Sequence, residues 1–185
     1  MKVSQLEKKD FINLEGNIYQ VIDIKHTHLG RGKANVLLVL KELRSGKKVE
    51  KNFKSDEDVE LVEIEEREIV FDGVRGDEMS FKDEEDKKYI LKTKDFKHLL
   101  PFLVNGNKYS GLFFEDELVA VSLPKVVYLK VISAPPGIKG NTVQATTKIV
   151  KVENGYQFKV PLFINEGDTI AINTETGEYI ERVQK

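Results

Sequence analysis

The run GYQFKVPLFINEGDTIAINTETGEYIERV, residues 155–183, decides the fold. Phe158, Val160, Leu162 and Ile164 recur at every second position, the period that places side chains on one face of a strand. Pro161 falls inside that alternation and has no N–H to give to a ladder. The strand is therefore expected at a sheet edge or at a bulge. Glu166-Gly167-Asp168 reads as a turn, Ile170 and Ile172 alternate again, and Glu175-Thr176-Gly177 turns the chain once more. Short strands broken by such turns make a small β-barrel.

Outward from that run, strand patterns return every 8–12 residues or so, which predicts an all-β chain of three small β-barrels in tandem. The divisions expected are 1–64, 65–126 and 127–185. In the first unit, Tyr19 to Ile24 and Val36 to Leu40 flank a glycine-containing loop, so one hairpin protrudes. Arg44-Ser45-Gly46-Lys47 then turns the chain into Val49 to Phe53. In the second, a short helix is expected near Asp95 to Leu103, kinked or ended early by Pro101. Leu123-Pro124-Lys125 is expected to act as a hinge into the third unit.

Composition narrows the class. Of 185 residues, 40% are hydrophobic and 32% charged, the balance of an ordinary folded chain. The longest uncharged apolar run, 36–40, is far too short to span a membrane, and the first residues hold no apolar signal core. The absence of cysteine excludes disulfides, thiolate metal sites and cysteine nucleophiles. A cytoplasmic monomer without cofactor, metal or membrane attachment is expected. The net charge of −2 is unevenly placed: the three divisions carry +1, −4 and +1. Any RNA contact must then come from local basic patches, with the acidic middle turned elsewhere or toward a protein.

The candidate chemistry sits on the hairpin tip, His28-Leu29-Gly30-Arg31-Gly32-Lys33-Ala34. Gly30 and Gly32 allow a sharp turn with one long cationic side chain between them. The planar guanidinium of Arg31 suits phosphate or ribose contacts at the end of an RNA helix. On local grounds alone, a plain turn with a solvated arginine accounts for the same residues.

From Lys25 to Glu57 the chain resembles bacterial translation elongation factor P without a gap, including Val49-Glu50-Lys51-Asn52-Phe53-Lys54-Ser55. Gly155, Val160-Pro161, Gly167 and Thr176-Gly177-Glu178-Tyr179 resemble that family's C-terminal signature. The resemblance implies an SH3-like (KOW-like) first barrel, two OB-fold barrels and an L-shaped, tRNA-like outline. It implies a translation factor, not an enzyme, that binds the 70S ribosome between the P and E sites. There it would stimulate peptide-bond formation and relieve stalling at consecutive prolines. Arg31 would be the functional tip, reaching the CCA end of the P-site peptidyl-tRNA. Many members carry a lysine there that is extended with β-lysine, which Arg31 cannot receive; others carry a rhamnosylated arginine, so Arg31 is a candidate modification site. Candidate RNA contacts in the first unit are Lys41, Arg44, Lys47, Lys48, Lys51 and Lys54, beside Lys33 of the tip.

In the third unit, Pro136-Gly137-Ile138-Lys139-Gly140-Asn141-Thr142 resembles the family loop that approaches the E-site mRNA codon. Lys139, Gly140, Asn141 and Thr142 are its candidate RNA-binding residues, with Asn141 replacing the usual aspartate. The acidic middle unit would face the ribosomal L1 stalk, although Asp83-Glu84-Glu85-Asp86 also reads as a solvated turn.

Other signals are weaker. His26 and His28 share a strand face without a third metal ligand nearby. Gly32-Lys33-Ala34 lacks both the earlier glycine and the following hydroxyl of a P-loop. Two alternatives stand beside the main reading. One is a divergent paralogue with a narrower range of stalling motifs. The other is a general single-stranded RNA-binding OB protein, which would stack bases on aromatics, yet aromatics are only 9% of this chain and mostly occupy core-like positions.

Overall fold

The computed structural model describes residues 1–27, 32, 34–137 and 146–183. They form three five-stranded antiparallel sheets. The first contains β1 (Phe11–Leu14), β2 (Asn17–Thr27), β3 (Asn35–Glu42), β4 (Lys48–Lys54) and β5 (Glu60–Val62), in the order β4-β3-β2-β1-β5. The second contains β6 (Glu65–Arg75), β7 (Glu78–Lys82), β8 (Lys88–Lys92), β9 (Lys108–Phe114) and β10 (Glu117–Ser122), in the order β10-β9-β6-β7-β8. The third contains β11 (Val126–Ser133), β12 (Thr147–Val152), β13 (Gln157–Pro161), β14 (Thr169–Asn173) and β15 (Tyr179–Val183), in the order β13-β12-β11-β14-β15. The terminal strands of the second and third sheets approach each other, β10 toward β8 and β13 toward β15. The fold is that of small barrels in tandem, an SH3-like one followed by two of OB type.

Each sheet closes on its own apolar core. Ile12, Val36, Leu38 and Leu40 fill the first, Ile69, Met79 and Phe81 the second, and Leu129, Ile164, Ile170 and Ile172 the third, all completely buried. Burial of each such side chain contributes about 1.5–3 kcal/mol. Pro161 is the last residue of β13, an edge strand, as its missing N–H requires. The alternation read through Ile164 stops sooner as structure: the strand ends at Pro161, and Ile164 reaches the core from the following turn.

The second unit contains a helical turn, Thr93–Phe96, that runs into a 3₁₀ helix, Lys97–Phe102. Pro101 sits inside the 3₁₀ segment, so the expected kink takes the form of a tighter helix. That segment sends Phe102 into the core of the third unit, with its ring 6.2 Å from Phe158. Asn154, in the turn after β12, reaches back and donates from Nδ2 to the Pro101 carbonyl at 2.7 Å. The connector expected to hinge is held as well: Thr174 Oγ1 donates to the Pro124 carbonyl at 2.6 Å. Among the described residues, no helix is long and apolar enough to cross a membrane.

Candidate RNA-binding interface

The β2–β3 hairpin carries the tip. Its register runs from Tyr19 opposite Glu42 to Thr27 opposite Asn35, with a bulge between Val21 and Asp23. Tyr19 and Val21 point into the core, while Lys25, His26 and Thr27 are exposed, so the hairpin projects beyond the barrel. Its tip end is tied down twice: Thr27 Oγ1 donates to the Asn35 carbonyl at 3.3 Å, and the Ser55 N–H donates to the Ala34 carbonyl at 3.0 Å. Lower down, Lys8 pairs with Asp23 at 3.2 Å and, with the Ile24 N–H, holds that carboxyl below its ordinary range. Gly32 is an exposed bend. His28, Gly30, Arg31 and Lys33 lie outside the described residues.

The candidate lysines separate by strand register. Lys41 and Lys48 are direct cross-strand partners on β3 and β4, and Asn35 pairs with Lys54 at the tip end of the same ladder. Lys41, Lys48 and Lys54 alternate with the buried face of Val36, Leu38 and Leu40, so they share the outer face. Lys51 is paired with Leu38 and belongs to the opposite face, where its ammonium lies 5.5 Å from the Tyr19 ring centroid. Arg44 lines a cleft with Lys92 and Asp95 on another side of the turn. Lys47 and Lys48 instead join Lys41 at the border with the other units, where Lys48 pairs with Glu175 of the third unit at 3.3 Å. The six cations therefore do not form one patch.

The loop after β11 starts at a close backbone approach. Gly137 lies against the Leu162 carbonyl with no room for a Cβ, and Lys148 donates from Nζ to the Pro135 carbonyl at 2.8 Å. These contacts fix the base of the loop. Lys139, Gly140, Asn141 and Thr142 lie outside the described residues.

The acidic turn of the middle unit is built by its own first residue. Asp83 accepts from the N–H groups of Glu85 and Lys87 and from the Tyr89 hydroxyl, each at 2.9 Å. Burial raises its pKa, but those donors outweigh that effect and the carboxyl ends below its ordinary value. Nearby, Arg67 bridges Glu65 and Asp116 and lies over the Phe113 ring at 4.5 Å. Both arrangements serve the fold. Among the described residues, no three His, Cys, Asp or Glu side chains gather as metal ligands.

Three residues at the junction of the units act there in ways their local sequence does not mark: His98 stands in no motif, Lys125 reads only as part of a hinge and Glu175 only as part of a turn. His98 presses its ring on the Gly46 turn, Lys125 borders the same opening, and Glu175 holds Lys48. Their partners come from distant segments, so no local motif marks them.

Known proteins match along most of the chain. Residues 2–59 match the family model "Elongation factor P (EF-P) KOW-like domain", and residues 127–182 match "Elongation factor P, C-terminal". The elongation factor P of Dictyoglomus turgidum is 39% identical over 172 residues, 92% of this chain and 93% of the relative. That of Dictyoglomus thermophilum is 38% identical over 172 residues, with the same shares of each chain. Among solved structures, eukaryotic translation initiation factor 5A from Methanococcus jannaschii is similar over 66% of this chain and 92% of its own, at 17% identity and a TM-score of 0.47.

Proposed function

This chain belongs to the elongation factor P family of translation factors, and from that premise we propose that it binds the bacterial ribosome between the P and E sites and relieves stalling at consecutive prolines. One observation carries the reading: the glycine-flanked Arg31 of the family's tip motif falls in sequence between β2 and β3, the two strands of the hairpin that projects from the first barrel. The proline ring restricts the backbone and leaves peptidyl-tRNA in an unproductive pose. Arg31 would brace the CCA end and so restore a near-attack geometry. The assistance is positional and entropic, while the bond-forming chemistry belongs to the ribosome.

In this reading the units, taken as 1–64, 65–126 and 127–185, divide the work. Lys41, Lys48 and Lys54 on the outer face of the first sheet meet RNA phosphates. The loop from Lys139 to Thr142 approaches the E-site codon, and the acidic middle unit faces the L1 stalk. The factor acts as a cytoplasmic monomer.

The test is synthesis across a triple-proline codon run on purified ribosomes, with and without unmodified recombinant protein. Restored product supports the proposal and shows that a bare Arg31 suffices. Stimulation only by protein from its native host would mean that Arg31 needs modification. No stimulation by either preparation, with tight binding to free single-stranded RNA, would replace the proposal with a general RNA-binding role.

A further inference from the structure

A cavity of about 640 Å³ opens where the three units meet. That size falls within the ~300–1,000 Å³ of small-ligand sites. Four lysines reach it: Lys41 from β3, Lys47 from the β3–β4 turn, Lys48 from β4 and Lys125 from the connector before β11. Facing them is one carboxylate, Glu175, on Lys48 at 3.3 Å. The rim therefore carries an excess of three positive charges, in a chain whose net charge is −2. Among the described residues, Lys41, Lys47 and Lys125 form no ion pair. Such a concentration of like charge disfavours the closed junction and attracts anions.

The rest of the cavity is not basic. Buried Leu99, Leu112 and Val121 form an apolar floor, and the planar ring of His98 stands on the wall. Ser122 and Thr176 add hydroxyls that donate or accept. A bare inorganic anion would use the lysines and leave the floor empty. A ligand with a phosphate at one end and a flat, largely apolar ring at the other uses both.

We infer that the junction cavity binds a nucleotide unit, its phosphate on Lys41, Lys47, Lys48 and Lys125 and its base over the apolar floor. Glu175 is the internal anion that the phosphate displaces from Lys48. The nucleotide can be an exposed residue of an RNA strand or a free nucleoside monophosphate. For the RNA source, the inference rests on the RNA contact proposed above.

The experiment is a titration of the ¹⁵N-labelled full chain with adenosine 5′-monophosphate, a single-stranded RNA tetranucleotide and inorganic phosphate, each separately. The expected result is movement of the Gly46, Ser122 and Gly177 amides with at least one nucleotide ligand, at lower concentration than phosphate requires. Lys125 is exposed, so Lys125→Glu should fold normally and weaken binding by about tenfold, the loss of one charge-assisted phosphate contact. Glu175→Gln should tighten binding. Equal response to the monophosphate and the tetranucleotide assigns free nucleotide, whereas response to the tetranucleotide alone assigns RNA. The inference is overturned if neither ligand moves those amides, if phosphate binds as tightly as the nucleotides, or if Lys125→Glu binds unchanged. Triple-proline synthesis is measured in parallel. Stimulation without amide movement removes the cavity site and keeps the proposed function; amide movement without stimulation by either the recombinant or the native-host preparation does the reverse.

Discussion

Asn154 and Pro101 lock the second unit to the third: the Asn154 Nδ2 donates to the Pro101 carbonyl at 2.7 Å, with the Leu103 and Leu100 carbonyls at 3.2 and 3.4 Å. The amide is fixed from its other end too, because Oδ1 accepts the Tyr156 N–H at 3.1 Å. One side chain thereby satisfies the last turn of a 3₁₀ helix in a neighbouring barrel.

Asn154→Ala should cost about 1–2 kcal/mol, the range for leaving partly buried acceptors without their donor. Asn154→Asp should cost more, since it removes the donor and sets a carboxylate against three carbonyl oxygens. Denaturant midpoints at constant slope measure both. An aspartate variant as stable as the parent would show that Asn154 does not act as the donor.

Gly46 adopts φ +71°, and a Cβ there would stand 2.9 Å from His98 Nε2. Gly46→Ala should therefore cost about 1–2 kcal/mol from the left-handed backbone alone, with a further steric cost. In a His98→Ala background the steric part should vanish and only the backbone part remain. A double-mutant cycle reads the difference, and strict additivity would refute the contact.

His98 is shifted below its ordinary value, first by partial desolvation of its ring, which stays part-exposed beside the Gly46 turn, and then by the nearby Lys41 charge. The unfolded chain therefore holds this proton more readily than the folded one. Stability is complete above the unfolded pKa of about 6.5 and falls as pH drops below it toward the folded value. The lowered carboxyls of Asp23, Glu65, Asp83 and Asp116 act later, below about pH 4. Melting temperature against pH should thus decline in two stages, and His98→Gln should remove the first. A parent and variant with parallel profiles above pH 5 would contradict this.

Arg31→Ala should abolish stimulation of proline-rich synthesis while changing stability by no more than about 0.5 kcal/mol. A melting curve and the triple-proline assay on one preparation decide the matter. A large fall in melting temperature would make Arg31 structural.

The logarithm of the ribosome-binding constant should fall linearly with the logarithm of salt concentration, because each lysine–phosphate contact releases condensed counterions. A flat response would point to a protein surface as the main docking partner.

Much of the fold was legible because side-chain alternation is a local property. Ile170 and Ile172 fell on the core face, and Pro161 marked an edge strand. The same rule overran at Leu162 and Ile164, where a turn presents a buried residue at the strand's period without continuing the strand. The split of Lys48 from Lys51 was also available, since positions three apart on a strand face opposite ways. The locks at the junction were not. Asn154, His98 and Glu175 act on carbonyls, a turn and a lysine at least fifty residues away in sequence, and only folding brings them together. The tip and the loop at 138–145, where the resemblance puts functional residues, fall largely outside the described residues.

Phe102 belongs by chain position to one barrel and by packing to the next. Exchanging the third barrel for that of a relative would transplant a socket without its plug. A fragment ending at the connector would expose an aromatic side chain that the intact protein covers. For shuffling or truncating this molecule, the second and third barrels therefore have to travel as a pair.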